Sequence, residues 1–147
     1  MQDRVDVFRR VERQYLRDRL GDKGLQVLDS MVIRLLARLG RMRQEDIVHK
    51  LVLDKSAVAR TLARLEEAGL VERAVSDRCR REKLVALTQA GMESCQYIER
   101  VLEEWKEICY RGFSTWEREQ YDAFLSRITD NVTQYKWSEE EREETHG

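Results

Sequence analysis

Residues 54–88 read DKSAVARTLARLEEAGLVERAVSDRCRREKLVALT and hold the most informative pattern of this chain. The first half predicts an amphipathic helix, because Val58, Leu62 and Leu65 recur at the spacing that forms one apolar stripe. Asp54 is suited to cap that helix by accepting a backbone N–H bond from its first turn. Gly69 is expected to end it, since a left-handed residue is needed there.

The second half of this stretch predicts a β-hairpin. Two β-prone runs, Leu70–Val75 and Glu82–Leu87, flank a loop that contains three arginines. A short helix with basic side chains fits the major groove of DNA, and a basic hairpin tip can reach a neighbouring backbone or minor groove. The combination therefore points to a DNA-binding protein.

The flanking sequence predicts further helices from the period of its apolar residues and from its capping residues. They are expected at Asp3–Leu20, from a cap at Asp29 or Ser30 to Gly40, at Met42–Leu51, from the cap Thr88 to about Tyr110, and from the capping box Ser114–Glu117 onward. The segment from Ser138 has five glutamates against one arginine and is expected to be disordered.

The order and spacing of these residues resemble the MarR (multiple antibiotic resistance regulator) family of winged helix-turn-helix proteins. The matching motifs are Lys55-Ser56-x-Val58-x-Arg60, Leu65-Glu66-x-x-Gly69-Leu70-Val71-x-Arg73, Arg81, and Leu87-Thr88-x-x-Gly91. Upstream, Gln44-x-x-Ile47-x-x-x-Leu51 resembles the helix that precedes the recognition helix. The resemblance runs from about Leu28 to the end of the last helix.

This resemblance implies a mostly α fold with a small β-hairpin wing. Residues 29–88 would form the winged helix-turn-helix core, and residues 1–28 and 89–137 would supply dimerisation helices, which makes 1–137 a single domain before an acidic tail at 138–147. A two-fold homodimer would present two recognition helices to a pseudo-palindrome in double-stranded DNA. The alternative is that the terminal helices close the core of a monomer.

The predicted DNA contacts lie on the two helices of the helix-turn-helix and on the wing. They are Arg43, Gln44, Lys55, Ser56, Arg60, Thr61, Arg64, Arg78, Arg80 and Arg81. Arginine can bond guanine through two hydrogen bonds, and serine or threonine can bond a base edge or a phosphate. Alternatively, Arg60 and Arg64 form weak surface pairs with Glu67 or Glu66. We interpret Arg73 as a structural ion-pair partner.

The wing departs from the family pattern at one position. The family has Asp-x-Arg before Leu-Thr, which places the arginine on Arg81 and puts Cys79 where the aspartate belongs. Asp77 and Glu82 are the candidates to replace that carboxylate. Cys79 is flanked by arginines, which leaves open either redox control of binding or a chance residue in a tolerant loop.

The charge distribution agrees with a DNA-binding centre. Residues 31–83 contain 13 Lys and Arg against 8 Asp and Glu, a net charge of +5, and because the whole chain carries −1 the remainder carries −6. Three scattered cysteines do not suggest a disulfide framework, and we see neither a signal peptide nor an apolar run that could span a membrane. We therefore expect a cytosolic protein with no membrane partner.

Enzymatic and metal-binding motifs are not evident in the sequence. His49 has only Glu45 at helical spacing, too few ligands for a metal site, and we find no phosphate loop or catalytic triad, so we expect neither a cofactor nor an enzyme. Tyr15 and Trp105 are candidates to bind a small aromatic effector, although aromatics at helical spacing are more often plain core. We interpret the chain as a prokaryotic transcription regulator that acts as a repressor. A winged-helix module that binds another protein is the alternative.

Overall fold

The computed structural model describes residues 2–75 and 83–146. These residues contain six α-helices and three short strands. In chain order they are α1 (Gln2–Gly21), α2 (Val27–Leu39), β1 (Met42–Arg43), α3 (Gln44–Leu51), α4 (Lys55–Glu67), β2 (Val71–Val75), β3 (Lys83–Leu87), α5 (Gln89–Cys109) and α6 (Thr115–His146). The mostly α fold with a small β wing is confirmed.

The strands form one antiparallel sheet in the order β1-β3-β2. Val85 at the centre of β3 faces Met42 of β1 on one side and Arg73 of β2 on the other. The hairpin was predicted, but β1 was not, because the sequence placed Met42 at the start of a helix. A two-residue strand is defined by its partner across the sheet, and no local pattern reveals it.

The core of the first of two compact units, residues 1–106, is formed mainly by α2, α4 and α5, to which α3 and the inner face of β3 add one buried side chain each. Its fully buried side chains include Ile33, Ile47, Val58, Leu62 and Val85. The apolar stripe predicted for α4 is therefore the face that packs inward, which leaves the opposite face of α4 to solvent.

Helix α2 begins earlier than the sequence indicated. Its first residue is Val27 and its N-cap is Gln26, whereas Asp29 or Ser30 had been expected as the cap. Asp29 instead occupies the third helical position, where its Oδ2 accepts the backbone N–H of Gln26 at 2.7 Å. The carboxylate thus satisfies a backbone donor from inside the helix, as the second half of a capping box does.

The predicted ends of α4 are confirmed. The Asp54 side chain accepts the backbone N–H of Ser56 at 3.4 Å. At the other end Gly69 adopts φ +76°, and its N–H bonds Glu66 O while the N–H of Leu70 bonds Leu65 O at 2.9 Å. These two bonds form a Schellman motif, which satisfies the last carbonyls of the helix.

The second compact unit, residues 107–147, is dominated by α6. The predicted capping box at its start is confirmed: Glu117 Oε1 accepts the Ser114 N–H at 2.8 Å, and Ser114 Oγ accepts the Glu117 N–H at 3.1 Å. The helix continues through His146 instead of ending near Ser138. Glutamate is a good helix former, and Tyr135 donates its hydroxyl hydrogen to Glu139 one turn later, which carries the helix into the acidic segment.

Candidate nucleic-acid interface

The solvent face of α4 presents polar and small side chains. Ser56, Arg60 and Ala63 are exposed and recur at helical spacing, and Lys55 is exposed at the first position of the helix. Because the opposite face is buried in the core, this face is held in one orientation by packing. Of the predicted DNA contacts, Lys55, Ser56 and Arg60 lie on a surface that a groove could meet.

Thr61 is a correction to the predicted contacts. Its side chain is 1 % exposed and lies among the core residues of α4, so it cannot reach DNA in this structure. The sequence contained the signal, since Thr61 follows Val58 by three residues and precedes Leu65 by four. It therefore falls on the apolar stripe, where a threonine can replace an aliphatic residue of similar shape.

Arg64 has a partner that the sequence did not indicate. Its Nη2 lies 2.5 Å from Oδ1 of Asp29, a residue that is 3 % exposed at the start of α2. The expected alternative, a surface pair with a glutamate of α4, does not describe this contact, since Glu66 instead lies 3.6 Å from Nε of Arg73. A contact between Arg64 and DNA stays a prediction.

The start of α3 carries two further predicted contacts. Arg43 is exposed and forms two hydrogen bonds with Asp46, from Nε at 3.0 Å and from Nη2 at 3.1 Å. Gln44 is half-buried, and its Oε1 accepts a bond from Arg73 Nη1 at 3.4 Å. Arg73 thus connects α3, α4 and β2, which confirms its interpretation as a structural ion-pair partner.

The tip of the wing, residues 76–82, lies outside the described residues. Arg78, Arg80, Arg81 and Cys79 all belong to it, so their predicted roles stay predictions. The described part of the wing is its base, where Val75 of β2 faces Lys83 of β3.

The Leu87-Thr88-x-x-Gly91 motif fastens the end of the wing to the end of α4. The Thr88 hydroxyl donates to Gly69 O at 2.6 Å and accepts the backbone N–H of Gly91 at 3.1 Å. The backbone N–H of Thr88 also donates to Leu70 O at 3.1 Å. One threonine therefore caps α5, as predicted, and also ties β3 to the turn that follows α4.

The two residues predicted to bind an effector contact each other. The rings of Tyr15 and Trp105 stack with centroids 4.8 Å apart, and the Trp105 indole N–H donates to Glu12 Oε2 at 2.8 Å. Trp105 is 9 % exposed, so the pair fills the contact between α1 and α5. A groove of about 660 Å³ opens nearby, lined by Glu12 and other residues of α1 and by the segment 25–28.

Within residues 2–75 and 83–146, the histidine, cysteine and acidic side chains form no group of three that could hold a metal ion. Among the same residues, no helix combines the length and the apolar character needed to cross a membrane.

A capped helix with one buried and one exposed face, preceded by a short helix and followed by a hairpin, defines a winged helix-turn-helix protein. Residues 29–83 match the model of the MarR family. Two relatives from Bacillus subtilis (strain 168), the uncharacterized HTH-type transcriptional regulators YybA and YdgJ, are 25% and 29% identical to this chain over 60% and 69% of its length. These matches span 59% and 62% of the relatives' own lengths.

Solved structures of MarR proteins have a similar fold. A crystal structure of MarR matches with a TM-score of 0.81 and 25% identity over 94% of both chains. A mutant MarR from E. coli, complexed with operator DNA, matches with a TM-score of 0.76 and 18% identity over 86% of this chain and 91% of that one. The match to the MarR family model covers the winged helix-turn-helix segment of this chain and confirms the resemblance of its motifs.

Proposed function

We propose that this protein is a sequence-specific DNA-binding transcription regulator that represses by occupying a pseudo-palindromic operator as a homodimer. The observation that carries the proposal is the exposed face of α4, with Lys55, Ser56 and Arg60 held outward by a buried stripe on the other side. The MarR structure of similar fold that is complexed with operator DNA supports it.

The electrostatics of α4 favour an approach to phosphate. The amino terminus of a helix carries partial positive charge from its unsatisfied N–H groups, and exposed Lys55 adds a full charge there. Arg60 lies one turn beyond Ser56, where a side chain can reach a base edge while Lys55 contacts the backbone. The net charge of +5 over residues 31–83 adds a longer-range attraction.

The test is the substitution Arg60→Ala. The probe is the tightest duplex that the wild-type protein selects from a random library, and a scrambled duplex of equal length reports binding without sequence preference. Removing a bond to a base should cost about 1–3 kcal/mol on the selected duplex and much less on the scrambled one. Fluorescence anisotropy measures both affinities, and a repeated selection with the variant should show relaxed preference at one base pair per half-site.

Lys106→Ala is the matched control, because it removes one positive charge from an exposed position of α5 outside the winged segment. It should leave both affinities unchanged. If the wild-type protein selected no duplex from the library, the regulator proposal would fail, and a protein-binding winged helix would take its place.

The homodimer is proposed from apolar side chains that the single chain leaves exposed. On α1 these include Val7, Phe8 and Val11. On α6 they recur at helical spacing and are Tyr121, Phe124, Leu125, Ile128, Val132 and Tyr135. A contiguous apolar face on a long helix marks an interaction surface, and a second copy of the same chain is the occupant that the MarR resemblance favours.

A small aromatic effector is the finer part of the proposal. Because Tyr15 and Trp105 stack directly, a ligand that binds between them must separate their rings and change the environment of the indole. Binding should therefore alter the Trp105 emission and lower the affinity for the selected duplex in the same concentration range. A Tyr15→Leu variant should lose both responses.

A further inference from the structure

A buried aspartate joins the start of α2 to α4. Asp29 is 3 % exposed, and both of its carboxylate oxygens have a partner. Oδ2 accepts the backbone N–H of Gln26 at 2.7 Å, and Oδ1 accepts from Arg64 Nη2 at 2.5 Å. Asp29 and Arg64 are 35 residues apart in sequence, so this contact links two elements that meet only in the folded chain.

Burial of the Asp29 carboxylate requires compensating contacts. Removing a carboxylate from water is unfavourable unless the charge is paired and its lone pairs are hydrogen-bonded. The start of α2 helps, since a helix amino terminus stabilises negative charge. The Arg64 guanidinium supplies the opposite charge in a directional hydrogen bond, which fixes distance and angle more tightly than an apolar contact does.

The location of Arg64 means that this contact restricts the rotation of α4. Arg64 follows Arg60 by one turn, at the border between the buried and exposed faces of α4, and its side chain is 40 % exposed. A side chain held at that border resists rotation of the helix about its own axis. Any such rotation would swing the exposed side chains of Ser56 and Arg60 away from the direction in which they now point.

We propose that Asp29 and Arg64 form a positioning pair, which sets the rotation of α4 so that Ser56 and Arg60 meet the DNA groove. Arg64 then acts on DNA binding through Asp29 and not through a phosphate, in place of the direct contact that the sequence predicted. The inference rests on the proposed function.

The variant Asp29→Asn separates the two roles by the sign of its effect. If Asp29 only competed with a phosphate for Arg64, removing its negative charge would strengthen DNA binding. A positioning pair predicts the reverse, with affinity for the selected duplex falling about tenfold, within the range of coupled contacting residues. The affinity for the scrambled duplex should equal that of the wild-type protein. The slope of log K against log salt should not change either, because the protein still neutralises the same number of phosphates.

Arg64→Lys is the second variant, and it keeps a positive charge beside Asp29 so that the fold is preserved. A lysine can replace an arginine at a simple phosphate contact but not in a fixed geometry. Affinity for the selected duplex should therefore fall several-fold at an unchanged salt slope. The double variant with Asp29→Asn should lose little more than either single variant, since both disrupt the same contact.

Each measurement is made below the melting midpoint of the variant, as circular dichroism defines it. Equal or tighter binding by Asp29→Asn would overturn the inference. A third variant, Arg64→Ala, would also overturn it if its salt slope fell by about 0.9 per subunit, because that fall would mean that Arg64 contacts a phosphate directly. In both cases the wild-type protein still binds its selected duplex and the proposed function stands. A wild-type protein that selects no duplex overturns both together.

Discussion

Gly91 lies where the first turn of α5 meets the backbone that follows α4, and no larger residue fits there. A Cβ at this position would lie 2.1 Å from Leu70 O and 3.0 Å from Leu87 Cδ2, and the first of these is backbone that cannot move aside cheaply. Gly91→Ala would gain about 1 kcal/mol of helix propensity, yet the clash should reverse that gain. We expect the free energy of unfolding to fall by about 1–3 kcal/mol, measured by urea denaturation.

Gly21→Ala is the control for this substitution. Gly21 ends α1, and a Cβ there would have nothing within 4 Å. The variant should be as stable as the wild-type protein or more stable by about 0.4–1 kcal/mol, through the reduced entropy of its unfolded chain. Equal stability of both variants would show that the contact between Gly91 and Leu70 is looser than the structure has it.

The side chains that local pattern governs could be predicted from the sequence, and those that tertiary contacts govern could not. The caps Asp54, Thr88 and Ser114 follow from short-range spacing, and the structure confirms all three. The pair of Asp29 with Arg64 joins distant parts of the chain, so no periodicity reveals it. The pair changes the role that we assign to an arginine first expected at the DNA.

The start of α6 should respond to pH through its capping box. The backbone N–H of Ser114 and then its hydroxyl bond the Glu117 carboxylate and hold its pKa below the ordinary 4.5. A depressed pKa means that ionised Glu117 stabilises the folded helix at pH above its ordinary value, and that this stabilisation is lost as pH falls through the lowered pKa.

Carbon-13 NMR of the Glu117 carboxyl measures this pKa directly. Ser114→Ala removes the hydroxyl half of the box, so the pKa should rise toward 4.5. Glu117→Gln should remove the dependence of the α6 amino terminus on pH in this acidic window. A wild-type pKa at or above its ordinary value would contradict the capping box.

The wing is expected to read charge and shape, while α4 reads bases. Arg81, in the segment outside the described residues, should contact the backbone or a narrow minor groove. Arg81→Ala should then weaken binding to selected and scrambled duplexes alike and reduce the salt slope by about 0.9 for each phosphate that is no longer neutralised, or about two units for a dimer. An unchanged slope and affinity would mean that a wing with Cys79 in place of the family aspartate does not engage DNA.

The helices and the hairpin could be predicted from the sequence, but β1 could not. Helices and the hairpin carry their own period, whereas β1 exists only because Met42 and Arg43 pair with β3. The acidic end of α6 is helical where disorder was expected. Composition alone suggested disorder there, but a helix already started at Thr115 adds each further turn without a new nucleation step.

Dimerisation should unite the two DNA-binding surfaces, and it can be tested on α6. Ile128 is 59 % exposed at the centre of the apolar face, so Ile128→Glu would place a charge from each copy in the proposed interface. Sedimentation at micromolar concentration should give about twice the 17.5 kDa chain mass for the wild-type protein and the chain mass for the variant. Ser126→Glu, which adds the same charge two residues earlier on another side of the helix, should leave the dimer intact.

The state of assembly should determine how much DNA is covered. Two recognition helices related by a two-fold axis should protect a pseudo-palindrome whose half-site centres lie about 10 bp apart, roughly one helical turn. Ile128→Glu should lose this paired footprint and bind a single half-site weakly, because each chain must then bind without the other. A wild-type monomer that protected one asymmetric half-site would refute the two-fold arrangement, since its exposed apolar faces would then require another partner.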